Sequence, residues 1–125
     1  MHCGDTLFFD PQSRKNPHLW IVVTEPDTED LCVIVSVTTV RNRCDQTVIL
    51  NGAQDHSALN RASAVSYMDA IIVKNADLEM AIDNGDAFAR HECEEKILKL
   101  VQDGIFSSPY TAKKIIAFCR GKLRK

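Results

Sequence analysis

The amino-acid sequence predicts an α+β fold: a strongly bent antiparallel sheet closing into a small β-barrel, followed by two C-terminal helices. Three observations carry this prediction. Short apolar, β-branched runs separated by turn residues fill the first two thirds of the chain. From Phe88 the apolar spacing lengthens from two to about 3.6 residues. Finally, 125 residues with 45% hydrophobic content suffice for one self-contained core. A single domain over 1–125 is expected, with the barrel core in 1–85 and the helical extension in 86–125.

The elements follow in order. Thr6 to Phe9 forms a short first strand. A polar, basic connection, Gln12-Ser13-Arg14-Lys15-Asn16-Pro17, leads into a continuous apolar strand from Leu19 to Thr24, closed by Glu25-Pro26-Asp27. Leu31 to Val37 is a third strand with both faces apolar. A bend around Asn42 to Asp45 precedes a strand at Gln46 to Leu50, where Thr47, Val48 and Ile49 have strand propensity. Asn51-Gly52 is a turn signal opening a polar loop to Asn60. Ala62 to Val65 and Ala70 to Val73 predict two further short strands, interrupted near Tyr67 to Asp69. Leu78, Met80 and Ile82 alternate and suit either a strand or a helical turn, and Asn84-Gly85-Asp86 breaks the chain. Beyond Phe88, Cys93, Ile97, Leu100 and Val101 fall on one helical stripe ended by Gly104. Ser108-Pro109 then supplies an N-cap and first helical residue for a second helix. Its stripe is Ala112, Ile115, Ile116 and Cys119, and Gly121 ends it.

Composition narrows the function classes. The net charge of -2 exerts no global pull on nucleic acid, so a polyanion site has to be a local patch. Base gathers at Arg14 to His18, at Arg41 and Arg43, and in the tail, where six of the last 13 residues are Lys or Arg. Cations near a helix C-terminus also serve the helix dipole. The five cysteines are widely spaced, and three sit in apolar periodic segments, which suits buried thiols in a reducing cytosol. No signal segment and no run long enough to span a bilayer is present, so a cytoplasmic protein without membrane contact is expected. GxxxxGK[ST] and GxGxxG are absent, and the His and Cys spacings match no closed zinc site; neither metal nor cofactor is expected.

The chemistry-bearing residues concentrate in two loops and one strand end. Arg14, Lys15 and His18 lie where the first strand turns into the second. Thr38 and Thr39 close the third, with Arg41 and Arg43 just beyond. Were these strands neighbours, cations, an imidazole and hydroxyls would converge. Cleaving RNA without a metal needs a base for the 2′-hydroxyl, an acid for the 5′-oxygen, and donors for the charged phosphorane. Histidine supplies either proton transfer near neutrality, and Arg and Thr donate to phosphate oxygens. His18, Thr38, Arg14 and His56, the last in the polar loop, are the candidate catalytic groups. Lys15, Thr39, Arg41 and Arg43 are the candidate RNA-binding ones. The plainer alternative is a solvated basic loop and ordinary β-strand threonines. Trp20, inside an apolar run, is expected in the core, and Asp69 fits a turn former better than a catalytic carboxylate.

These residues, in this order, resemble the MazF/PemK family of toxin endoribonucleases. Carrying the resemblance are Gly4-Asp5-Thr6-Leu7-Phe8-Phe9-Asp10-Pro11, the strand Trp20-Ile21-Val22-Val23, Val33 to Thr39 ending in two threonines, and Ser63-Ala64-Val65-Ser66-Tyr67-Met68-Asp69. His18-Leu19 stands where the family has Arg-Pro, and Thr38 falls on the family threonine. The resemblance spans roughly residues 4–73. It implies an SH3-like barrel, metal-independent cleavage of single-stranded RNA, a homodimer, and a small antitoxin whose tail covers the RNA groove. The missing arginine leaves open a changed cleavage preference or a barrel that has lost catalysis. The alternative function is a non-catalytic SH3-like module binding protein or RNA. A DNA-contacting pair of C-terminal helices is disfavoured by the long connection from Asp103 to Thr111.

Overall fold

The structure, a computed structural model, describes residues 1–11 and 17–123. Six strands, β1 (Thr6–Phe9), β2 (His18–Val22), β3 (Leu31–Thr39), β4 (Ile49–Asn51), β5 (Ala62–Lys74) and β6 (Ala87–Arg90), form one antiparallel sheet in the order β4-β5-β3-β2-β1-β6. Three helices accompany it: α1 (Asn75–Asp83), α2 (Glu95–Ser107) and α3 (Lys113–Leu123). The α+β class is as expected.

Alternation along the strands gives the sheet two apolar faces. On one face, Leu19, Ile21, Val33, Val35, Val37 and Val65 pack against Ile97, Val101 and Ile105 of α2 and Ile115 and Cys119 of α3. On the other, Leu7, Phe9, Trp20, Val22, Cys32 and Ile34 pack against Leu78 of α1, which crosses this face between β5 and β6. Trp20 is core as expected, its ring 5.9 Å from Phe9 and its Nε1 donating to the Phe9 carbonyl.

Closure into an SH3-like barrel is corrected: no strand ladder joins β4 to β6 among the described residues. The two edges are instead bridged by a loop. His56, beyond β4, hydrogen-bonds through Nε2 to Thr6 Oγ1 of β1 at 3.3 Å and to the His91 carbonyl just past β6.

Several elements differ from expectation for identifiable reasons. The two short strands around Tyr67 to Asp69 are one strand, β5, containing a bulge. Ile34 pairs with Ile71 and Ser36 with Ser66, so Val35 alone faces residues 67–70. The alternating Leu78, Met80 and Ile82 lie on a helix: Leu78 is buried and Ile82 half-buried four residues on, while Met80 points outward. Asp30 holds its start, accepting from the Ala76 amide through Oδ2 (2.9 Å) and from Asn75 through its backbone carbonyl (2.8 Å). Residues 87–90 are strand because they pair with β1, Phe88 opposite Phe8. The helix expected from Phe88 therefore begins only at Glu95, and Leu100 is exposed.

Gly104 does not end α2 but sits within it, where a Cβ would lie 1.9 Å from the Tyr67 hydroxyl oxygen. That hydroxyl donates to the Val101 carbonyl at 2.7 Å. Glycine lets the helix approach a fully buried tyrosine. Ser108-Pro109 does not start α3, which begins at Lys113; Ser108 Oγ donates to Asp45 instead. Gly121 is inside α3.

Candidate functional site

The strand register decides which candidates meet. Leu19 pairs with Val37 across β2 and β3, and Phe9 pairs with His18 across β1 and β2. Continuing the Leu19–Val37 register by one residue sets His18 opposite Thr38, which in turn pairs with Ala64 of β5. Opposed residues in an antiparallel sheet share a face, with Cβ atoms about 4.5–5.5 Å apart. His18 and Thr38 therefore stand side by side at one rim of the α1-bearing face, both half-buried. α1 packs on the same face through Leu78.

Beside Thr38 lies a cleft of about 180 Å³. The end of β3, the β5 bulge, the 43–45 turn and the α2–α3 connection frame it. Thr38, Arg43, Ser66, Met68 and Tyr110 are among its walls. Arg43 occupies the left-handed region, φ 66°, at an exposed position. Ser66 donates to Asp69 Oδ2 at 2.6 Å across the bulge, so Asp69 lies within β5 and not in the turn the sequence suggests. Asp45 anchors the surrounding loops: it accepts from Ser108 Oγ (2.6 Å), Thr47 Oγ1 (2.6 Å) and the Thr47 amide (3.0 Å). Burial opposes its ionisation, yet these donors prevail and hold its carboxyl below the usual carboxylate range.

The other candidates separate. Thr39 follows Thr38 and so belongs to the opposite face, paired with Ser63. Arg41 and Arg43 are exposed in the turn beyond β3, and of the two it is Arg43 that lines the cleft. Arg14 and Lys15 lie outside the described residues.

His56 lies apart from this rim. The residue is 5% exposed, its Nδ1 accepts from the Ala58 amide at 3.0 Å, and its Nε2 serves Thr6 and the His91 carbonyl. Thr6 pairs with Ile21 on the helix-packed face, so His56 is on the wrong side of the sheet to share a substrate with His18. It is a clamp between two sheet edges, with both ring nitrogens in use.

Of the five free cysteines, half-buried Cys44 lines the cleft, and the other four lie away from it. Burial pushes the thiols of Cys3, Cys32, Cys93 and Cys119 up to about 11, with Glu25 adding to the effect at Cys3. The basic stripe on α3 is partly engaged elsewhere, since Lys122 lies 3.8 Å from the Phe118 ring centre and 3.7 Å from Asp27. No three His, Cys, Asp or Glu groups cluster as a metal site among the described residues. No helix among them is long and apolar enough to cross a membrane.

Sequence reasoning missed Tyr110, Met68 and Ser66. Tyr110 stands in a Ser-Ser-Pro-Tyr connection that also reads as a helix start, and Met68 and Ser66 depend on a bulge set by the partner strand. Compared with known protein families and with curated proteins, the chain matches none.

Proposed function

We propose that this chain is a metal-independent endoribonuclease acting on single-stranded RNA, a divergent relative in kind of the MazF/PemK toxins it resembles. The observation that carries this reading is the β2–β3 register, which, continued one residue past Leu19–Val37, sets half-buried His18 opposite half-buried Thr38. In the proposed reaction the His18 imidazole takes the proton of the 2′-hydroxyl as its oxygen attacks the phosphorus. The imidazolium then returns a proton to the departing 5′-oxygen, leaving a 2′,3′-cyclic phosphate and a free 5′-hydroxyl. Thr38 Oγ1 donates to a non-bridging oxygen, and the Arg43 guanidinium offsets the charge that builds on the phosphorane. His18 is the one imidazole at this rim among the described residues, which supports giving it both transfers.

The rest of the toxin reading belongs to the same proposal. It comprises an SH3-like relation of the bent sheet, a homodimer, and a small antitoxin protein occupying the RNA groove in a cytoplasmic toxin–antitoxin pair. The exposed edge strand β6 supports self-association, because an open edge offers unpaired backbone groups. A non-catalytic RNA-binding module is the second reading, favoured by the exposed Tyr110 and Met68 beside the rim.

Incubation of the purified protein with single-stranded RNA in EDTA separates the two. Fragments ending in 2′,3′-cyclic phosphate are expected. Binding without scission supports the module, and scission that needs magnesium contradicts the mechanism.

A further inference from the structure

Two of the most exposed large apolar side chains in the molecule, Met68 (69%) and Tyr110 (55%), line the same small cleft. Scattered exposed apolar residues need no explanation, but a pair meeting at a polar-floored cleft marks a binding surface. The space, about 180 Å³, is smaller than a drug-sized pocket of roughly 300–1,000 Å³ and suits a single planar ring system. Its polar groups are the hydroxyls of Thr38 and Ser66, the Cys44 thiol, the guanidinium of Arg43 and the carboxylate of Asp45, the last engaged by Ser108 and Thr47. Arg43 is held at φ 66°, a conformation of the kind that gathers at ligand sites.

The backbone that carries Tyr110 is anchored. The Tyr110 amide donates to Ser108 Oγ at 3.1 Å, and Ser108 Oγ donates to Asp45 at 2.6 Å. The same carboxylate fixes Thr47, so the α2–α3 connection and the turn after β3 are tied to one anchor. A backbone held this way reduces the ordering that stacking on the Tyr110 ring requires.

We propose that this cleft is a nucleobase subsite: it takes one unpaired base of the RNA strand, stacked on Tyr110 and flanked by the Met68 thioether. The placement of the adjoining phosphate rests on the nuclease reading, because Thr38 both lines the cleft and faces His18. The base-binding claim itself does not. Stacking on an aromatic face tolerates any base; the hydroxyls and Arg43 supply hydrogen bonds that discriminate among them. The subsite thereby sets which nucleotide adjoins the cut.

The test is a titration of the full ¹⁵N-labelled chain with each of the four ribonucleoside 3′-monophosphates, followed by NMR. Amide shifts at Arg43, Ser66 and Tyr110 are expected, with unequal affinities among the four. Tyr110→Ala weakens binding about tenfold while Tyr110→Phe restores it. Shifts centred elsewhere, or equal affinity in the Tyr110→Ala variant, overturn the subsite. So do identical shifts from inorganic phosphate alone. The two readings fail separately. Nucleotide binding at the cleft in a protein that cuts no RNA keeps the subsite and removes the nuclease. RNA cleavage with unchanged sequence preference in Tyr110→Ala removes the subsite and keeps the nuclease.

Discussion

His56 and His18 flank the same sheet from opposite faces, and their surroundings differ. His56 is buried, with an amide donating to one ring nitrogen and a carbonyl and hydroxyl around the other. His18 is half-buried at a strand end, its cross-strand neighbour a threonine. An imidazole whose nitrogens are both committed holds structure together; one at a rim beside a hydroxyl is available to move protons. The contrast extends to the regions around them. The helix-packed face is closed by Tyr67, Gly104 and the α2 and α3 side chains, whereas the rim of the other face is bounded by loops and a bulge.

Perturbing the closed face breaks the fold, and perturbing the rim spares it. The largest effect on stability is expected at Gly104→Ala. An added methyl collides with Tyr67 and displaces its bond to the Val101 carbonyl, costing about 3 kcal/mol despite a better helix propensity. A chemical-denaturation midpoint checks this, and an unchanged midpoint removes the tight contact from the account.

His56→Ala comes next, at about 2 kcal/mol, because it orphans the Ala58 amide and releases the loop from β1. Hydrogen exchange should quicken at Ala58 and across residues 52–60. Asp45→Ala follows at about 1 kcal/mol, with a pH signature. Its folded carboxyl titrates lower than in the unfolded chain. Its stabilisation is therefore complete above an ordinary Asp value of about 3.9 and is lost as pH falls through the lowered folded value. Wild-type and Asp45→Ala unfolding curves should converge at that acid end and separate above it. Thr38→Val is the smallest in stability, within about 0.5 kcal/mol, since the residue is half-exposed at a strand end. It should nonetheless slow RNA cleavage about 10²-fold.

Much of this was legible in the sequence, and the misses share a cause. Apolar runs located β1, β2 and β3, because a strand buried on both faces needs nothing but continuous Val, Ile and Leu. His18 and Thr38 were legible as a pair because one opens an apolar strand and the other lies at the close of the next. What escaped depends on partners distant in the chain. Residues 75–83 are a helix although they alternate, since Asp30 caps its start and Leu78 finds the far sheet face. Residues 87–90 are a strand because β1 offers an edge, and Gly104 reads as a helix stop until Tyr67 is seen beneath it. His56 reads as a solvated loop histidine for the same reason, its partners lying 50 and 35 residues away.

The central claim is the division of labour between the two histidines, and one paired measurement addresses it. RNA cleavage in EDTA and thermal stability are recorded side by side for His18→Ala and His56→Ala. The account predicts that His18→Ala melts with the wild type and loses about 10²–10⁴-fold in cleavage rate. It predicts that His56→Ala melts several degrees lower and still cuts RNA below its transition. Full cleavage by His18→Ala, or a stable and inactive His56→Ala, contradicts it.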